Sequence, residues 1–515
     1  MPPECGDADV AGGPAADDVG RGRRGARWRD RLSTTALAAA VFAAHLWLAL
    51  KLERLGLFER FNTLFGADPN LRLESLRRGD TLFRLPHPGL SYLLGIPIRA
   101  LAKVTAAVVP GDPAPDQVVR AIALGVAPLA AALQCLILLR ILRRLGFAFG
   151  TAFALTLLSA ISFSAIVFGS MPETYAVSAL AVVLAYALFL RGRETGGFAT
   201  EFGWLGVGVF AAGVTITNIV PVAALCFLCT NHRSGRPGLS LARTVGIAAL
   251  AVFVAGAAGI AADEFLRVRE TTGPGEREWI GRYIVEQPIL RYVTFPTAIV
   301  NGIAPSAPTR VPGFAMEARR KTAAGKRNAA ASAAPRAASE DGAPAVGAHE
   351  DAKPPAAALE SATPGERAPE SGAPAAADGS ERSPDRGPNR RLARLTLQPS
   401  HRAFSLRNLA GIVLVATLAW AAFRRRDADP ALTSLARASF LIVGFNWALH
   451  GFWGDETFLY SQHWHVSLMF LIAALVAGAG RGRRAVVVVL AAVVVAVAVS
   501  NLVVLADALS PFAGP

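Results

Sequence analysis

The chain has 515 residues, of which 53% are hydrophobic and 17% charged, and its formal net charge is +14. Soluble domains of this length are less apolar, so the composition excludes an ordinary soluble enzyme and indicates a membrane protein. The positive charge does not indicate nucleic-acid binding, because the arginines form short clusters beside apolar runs, where cytoplasmic loops carry them.

The first 34 residues form a polar tail that is rich in Gly, Ala and Asp and ends in a basic stretch at 21–31. Such a composition predicts disorder, because it offers too little apolar surface to offset chain entropy. Basic residues directly before a first apolar run stay in the cytoplasm, so we expect this tail to lie there.

Ten apolar stretches follow, and they carry few ionisable groups. Only helices satisfy their own backbone hydrogen bonds in lipid, and a span needs about 20 residues. The stretch 203–229 is long enough for two short helices that break at 215–221. The sequence therefore predicts an all-α polytopic membrane protein with about eleven transmembrane helices. The stretches are 36–50, 118–139, 147–168, 175–190, 203–229, 241–262, 409–423, 431–449, 465–478 and 485–506.

The basic clusters between these stretches agree with a single topology. With the tail inside, five of them fall on the cytoplasmic side: 140–144, 191–193, 232–236, 424–426 and 481–484. The outer face then collects the polar loops 51–117, 169–174, 215–218, 263–407 and 450–464. Within the first loop, 90–109 is apolar but carries Arg99 and Lys103, so it predicts a helix in the outer interface.

Residues 312–400 differ from the rest, because they are rich in Ala, Pro, Gly and Ser, mix both charge signs and contain almost no aromatic residues. This composition predicts a disordered external insert. It divides the chain into the tail 1–34, an N-terminal transmembrane module with outer loops at 35–311, the insert 312–400, and C-terminal transmembrane helices at 401–515.

Chemically distinctive residues concentrate on the predicted outer face. The first outer loop carries Asp68, Arg72 and Arg84 and ends with His87-Pro88-Gly89, and Glu173 lies at the junction 169–175. The last outer loop, 450–465, carries His463 and His465. Residues two apart on a helix point to different sides, so a phosphate contact from either histidine is favoured over a shared metal site.

The order of these elements is similar to that of a known superfamily. An acid soon after the first helix, His87-Pro88 before an interfacial helix, and a span that ends in the basic sequence 139–146 together resemble the GT-C membrane glycosyltransferases. Protein O-mannosyltransferases and aminoarabinose transferases belong to that superfamily. The likeness covers roughly residues 35–230, with Pro69 where a second acid is frequent and Gly89 where a second proline is frequent.

The resemblance implies a multi-pass enzyme of the bacterial plasma membrane that takes a sugar from a polyprenyl-phosphate carrier on the outer face. The acceptor is open among lipid, glycan and protein, and no nucleic-acid partner is expected. The family position of the essential first-loop acid falls on Asp68.

Sugar transfer from a lipid phosphate needs a carboxylate that takes a proton and cationic groups or a metal that hold the phosphate. We predict Asp68 as the base and Glu173 as the second catalytic acid. Asp-Pro is equally a common turn or helix start, and a glutamate in a first helical turn is ordinary. Arg72, Arg84 and His87 are candidates for the phosphate. A divalent metal on Asp68 and Glu173 is left open.

Two other classes compete with an enzyme. A transporter or flippase of lipid-linked sugars would use the same bundle without catalysis, but coupled transporters usually hold ionisable groups near the bilayer midplane. The predicted spans offer few, with His45 and Arg437 the clearest. A scaffold that presents the insert would leave the outer polar residues unexplained.

Overall fold

The computed structural model describes residues 15–59, 67, 69–78, 87–109, 113–195, 197–265, 288–305, 309–312, 393–396, 406–423, 430–452, 460–478 and 483–512. Helices form nearly all of this part of the chain. Two short strands, β1 (Thr309–Pro312) and β2 (Ala393–Thr396), pair with each other.

The helices follow the apolar stretches. The N-terminal part contains α1 (Ala15–Arg54), α2 (Pro69–Arg78), α3 (Ile96–Val108), α4 (Pro115–Arg144), α5 (Phe149–Ile161), α6 (Phe163–Gly169), α7 (Tyr175–Glu194), α8 (Phe198–Val214), α9 (Ile219–Ser234) and α10 (Pro237–Phe265). The C-terminal part contains α11 (Pro288–Ile303), α12 (Leu406–Phe423), α13 (Pro430–Phe452), α14 (Ser461–Ala477) and α15 (Arg483–Leu509).

Within the described residues, seven helices are long and apolar enough to cross a membrane: α1, α4, α7, α10, α12, α13 and α15. The bent pair α5–α6 would make an eighth span, and α8 and α14 are shorter apolar helices. This is the architecture of a multi-pass membrane protein. All the predicted apolar stretches are helical, and the total of about eleven spans stays a prediction.

The stretch 147–168 is not one straight helix, because α5 and α6 meet at an angle of 61°. Ser162 lies between them in an extended conformation, with ψ at 145°, and its hydroxyl accepts a hydrogen bond from the Ala165 amide at 3.4 Å. A serine that caps a new helix in this way interrupts the preceding one.

Two predicted disordered segments overlap elements of the structure at their edges. Residues 15–34 belong to α1. No proline interrupts 15–54, so the helix that forms over the apolar stretch continues toward the N-terminus into the polar residues before it. Residues 393–396 form β2 instead of disordered chain, because they pair with β1. Residues 1–14 and 313–392 lie outside the described part.

Side-chain contacts identify one end of the bundle. Arg143 pairs with Asp30 at 3.0 Å, Arg144 pairs with Glu194, and the Arg193 guanidinium donates to His232 Nε2 at 2.9 Å. These contacts join the start of the apolar part of α1 to the last turns of α4, α7 and α9. The basic clusters 140–144, 191–193 and 232–236 therefore lie together, which we call the basic end.

The sequence did not predict α11, because Arg291 and Pro296 interrupt a short apolar pattern. The helix packs against α12 and α13. Trp447 Nε1 donates to the Tyr292 carbonyl at 2.9 Å, and the Tyr292 hydroxyl donates to the Ala448 carbonyl at 3.0 Å. These contacts place the start of α11 beside the last turns of α13.

Candidate functional site

Four segments that are distant in sequence meet at the end of the bundle opposite the basic end. They are the first loop, the turn between α6 and α7, the break between α8 and α9, and the start of α14. They bring together five side chains, which we call the polar cluster: Arg72, His87, Glu173, Tyr175 and His463. The structure thus gathers one catalytic and three binding candidates predicted from the sequence.

The helix α2 presents Arg72 to the cluster. Its Leu73 is buried and belongs, with Ala67, to an apolar core formed by the last turns of α1 and the first turns of α4. Because this apolar side is fixed, the neighbouring Arg72 reaches across to the turn before α7. Arg72 Nε lies 3.3 Å from Glu173 Oε2, and only 4% of the Glu173 side chain is exposed.

Glu173 lies in the non-helical turn 170–174, because α7 begins at Tyr175. It is therefore not a first-turn glutamate, which was the competing interpretation. Its backbone N–H donates to the Met171 carbonyl at 2.7 Å, and its carboxylate is paired with Arg72. Pairing with a guanidinium offsets the cost of burying this charge.

His87 is held by the break between α8 and α9. Its Nδ1 lies 2.6 Å from the Val214 carbonyl oxygen, at the last residue of α8, and 3.4 Å from Thr215 Oγ1. The Thr215 hydroxyl also lies 3.2 Å from that of Ser178 on α7. A break between two helices is confirmed, but it spans 215–218 because α9 begins at Ile219, and it provides the carbonyl that His87 contacts.

Glycines let the turn that carries His87 touch two helices. The Gly89 N–H donates to the Gly213 carbonyl at 2.8 Å, and a Cβ on Gly89 would overlap the backbone of Gly213. A proline at position 89 would have no N–H to donate and no room for its ring. Position 89 therefore suits a glycine and not a proline.

The start of α14 supplies the aromatic part of the site. His463 is 4% exposed, and its ring centroid lies 6.1 Å from Tyr175, 5.9 Å from Tyr460 and 6.0 Å from His450. His450 and Tyr460 stack with centroids 4.0 Å apart. The sequence offered no signal for this packing, because it depends on how α13 and α14 meet.

His465 lies elsewhere. Its Nε2 is 3.1 Å from the Ser159 hydroxyl and 3.2 Å from the Ser162 hydroxyl, at the bend between α5 and α6. The side chain is completely buried. The prediction that His463 and His465 point to different sides of their helix is confirmed, and the structure does not bring His465 into the polar cluster.

Two predicted site residues, Asp68 and Arg84, lie outside the described residues. The chain neighbours of Asp68 are described, and both Ala67 and Pro69 are buried. Across the part of the chain that the structure describes, no three His, Cys, Asp or Glu side chains converge as metal ligands. A metal shared by Asp68 and Glu173 therefore stays a prediction.

A glycine on α10 gives a test of how the His87 turn is positioned. A Cβ on Gly259 would overlap the Pro88 carbonyl, whereas a Cβ on Gly256, three residues earlier, meets nothing within 4 Å. We expect Gly259→Ala to destabilise the protein by about 1–3 kcal/mol, because backbone has to move. Gly256→Ala is the control and should make the protein slightly more stable, because alanine favours a helix more than glycine does. Thermal unfolding in detergent compares them, and equal midpoints would contradict this packing.

The polar cluster combines a buried carboxylate–guanidinium pair, two imidazoles and a phenol ring at one end of a helical bundle. Such a set can bind an anionic or hydroxyl-bearing group and can exchange protons with it.

Comparison of the chain with protein-family models, with curated proteins and with solved structures gives no match.

Proposed function

We propose that the chain is a membrane glycosyltransferase, which moves a sugar from a polyprenyl-phosphate carrier to an acceptor on the outer face of a plasma membrane. The supporting observation is that Arg72, His87, Glu173 and His463 meet at the end opposite the basic end. By the positive-inside rule the basic end is cytoplasmic, so the cluster would face outward.

In the proposed reaction, different loop residues accept the proton and bind the phosphate. The acceptor hydroxyl attacks the anomeric carbon of the sugar, the bond from that carbon to the phosphate oxygen breaks, and the phosphate leaves with the bonding electrons. The hydroxyl proton passes to the Asp68 carboxylate. Arg72, anchored by Glu173, and Arg84 supply positive charge for the departing phosphate.

Reconstituted vesicles test this proposal. The purified protein is incorporated with a polyprenyl phosphate that carries a labelled sugar, and a panel of alcohol acceptors is added. We expect labelled product and released polyprenyl phosphate in equal amounts. Labelled donor that crosses the bilayer intact, with no product, would contradict transfer and support transport.

Transport is the second candidate, and one observation favours it. His45 is 5% exposed inside α1, and its Nδ1 lies 3.3 Å from the Ser170 hydroxyl, three residues before Glu173. A small cavity beside it is also lined by Gln134 and Gln462. Buried ionisable groups within a span are typical of coupled transporters. The vesicle experiment separates the two functions.

A further inference from the structure

We propose that a cavity inside the helical bundle binds one water molecule, which joins polar side chains of four helices. The cavity lies next to the polar cluster, because two of its lining residues, Ala176 and Gln462, are the chain neighbours of Tyr175 and His463. This inference does not rest on the proposed function, and it holds equally for an enzyme and for a transporter.

The size of the cavity matches a single water molecule. It leaves about 10 Å³ for the centre of a water-sized sphere, which is close to the smallest space that holds one water. His45 packs against its wall at Gly169, where a Cβ would overlap the imidazole Nδ1. A larger occupant, such as a sugar or a lipid chain, has no room there.

Polar groups surround this space. Four of the lining side chains are polar and at most 5% exposed: His45 on α1, Gln134 on α4, Ser159 on α5 and Gln462 on α14. Among the described residues, Gln462 Nε2 has no hydrogen-bond partner. A buried amide without a partner costs the free energy of its desolvation, and a bound water removes that cost.

The chemistry of the lining favours water over an ion or an apolar guest. A cation inside a membrane-spanning bundle needs compensating charge for its lost hydration, and no Asp or Glu is among the described residues that line the cavity. An apolar guest would leave the amides unpaired. Water donates and accepts, so it can satisfy an amide N–H, an amide oxygen and a hydroxyl together.

The water joins two contacts that are otherwise separate. The Ser159 hydroxyl lies 3.1 Å from His465 Nε2, at the bend between α5 and α6. His45 Nδ1 lies 3.3 Å from the Ser170 hydroxyl, at the start of the turn that carries Glu173. Because Ser159 and His45 both line the cavity, one water connects the bend with the turn that contributes to the polar cluster.

Radiolytic footprinting tests this site, because Cys135 lines the cavity. A short X-ray pulse splits water into hydroxyl radicals, which oxidise thiols close to where the radicals form. Cys226 and Cys229 are also free and buried but do not line the cavity, so they are controls in the same molecule. Mass spectrometry of the full chain in nanodiscs should show Cys135 oxidised several-fold faster than both. Oxidation of Cys135 no faster than that of the controls would overturn the inference.

Two leucine variants separate the water from burial in general. Gln462→Leu removes an amide from the cavity wall and should lower Cys135 oxidation about 2- to 10-fold, the equivalent of one net hydrogen bond. Asn446→Leu removes a buried amide that does not line the cavity and donates to the Ile442 carbonyl of its own helix, so Cys135 oxidation should stay unchanged.

Wild-type oxidation of Cys135 in Gln462→Leu would overturn the inference, and so would an equal loss in both variants. If a leucine variant does not fold, the comparison of the three thiols in the wild-type protein still decides. None of these outcomes changes the proposed function, which the vesicle experiment tests separately.

Discussion

Substitution of Asp68 with Asn should slow sugar transfer by about 10²–10⁴-fold, because the amide keeps the size and hydrogen bonds of the side chain but cannot take a proton. The chain neighbours of Asp68, Ala67 and Pro69, are buried. Initial rates with a labelled polyprenyl-phosphate donor, at matched protein level and matched thermal midpoint, measure the effect.

The controls for Asp68→Asn are Glu74→Gln and Asp80→Asn. Both remove an acid from the same first loop, and we expect both acids to be solvated charges. They should leave the rate within a few fold of the wild type. Wild-type turnover in Asp68→Asn would show that Asp68 is not the base. An equal loss of turnover in all three variants would indicate a general effect of loop charge.

Substitution of Arg72 with Met should destabilise the protein by about 3–5 kcal/mol, because Glu173 would lose the guanidinium that compensates its buried charge. The Arg72 and Glu173 side chains are 14% and 4% exposed. The double variant Arg72→Met with Glu173→Gln should recover much of this loss, since no buried charge is then left uncompensated. Free energies of unfolding for the four proteins form a double-mutant cycle.

Arg120, which pairs with Glu53 and also lies 3.5 Å from Glu59, is a more exposed control at the same end of the bundle. The side chains of Arg120, Glu53 and Glu59 are 33%, 21% and 71% exposed, so solvent screens these ion pairs more than it screens Arg72 and Glu173. Arg120→Met should therefore cost only about 0.2–1 kcal/mol. Equal losses in Arg72→Met and Arg120→Met would contradict the special importance of the Arg72–Glu173 pair.

The sequence predicted the elements of this fold better than their junctions. Apolar length and composition are local properties, so α4, α7, α10 and the break at 215–221 could be predicted from them. The bend at Ser162 could not, because the serine both caps α6 and contacts His465, which is 303 residues away in sequence. The helix α11 was missed because a proline and an arginine interrupt its pattern.

For the candidate site too, single residues could be predicted from the sequence, but the contacts between them could not. The positive-inside rule placed Arg72 and Glu173 on one face, but nothing local indicates that residues 101 apart form an ion pair. His87 was found from its motif, yet its partner is a backbone carbonyl that is available only because α8 ends at Val214. His465 was grouped with His463 by proximity in sequence, and helical geometry separates them.

We expect the phosphate-linked sugar to bind at the polar cluster. A cryo-electron microscopy map of the protein with a polyprenyl phosphate bound tests this binding site most directly, because the map shows which side chains surround the phosphate. We expect the phosphate beside Arg72 and the first loop, with the lipid tail along the helices. Phosphate density at the opposite end, beside Arg143, Arg193 and His232, would contradict the claim.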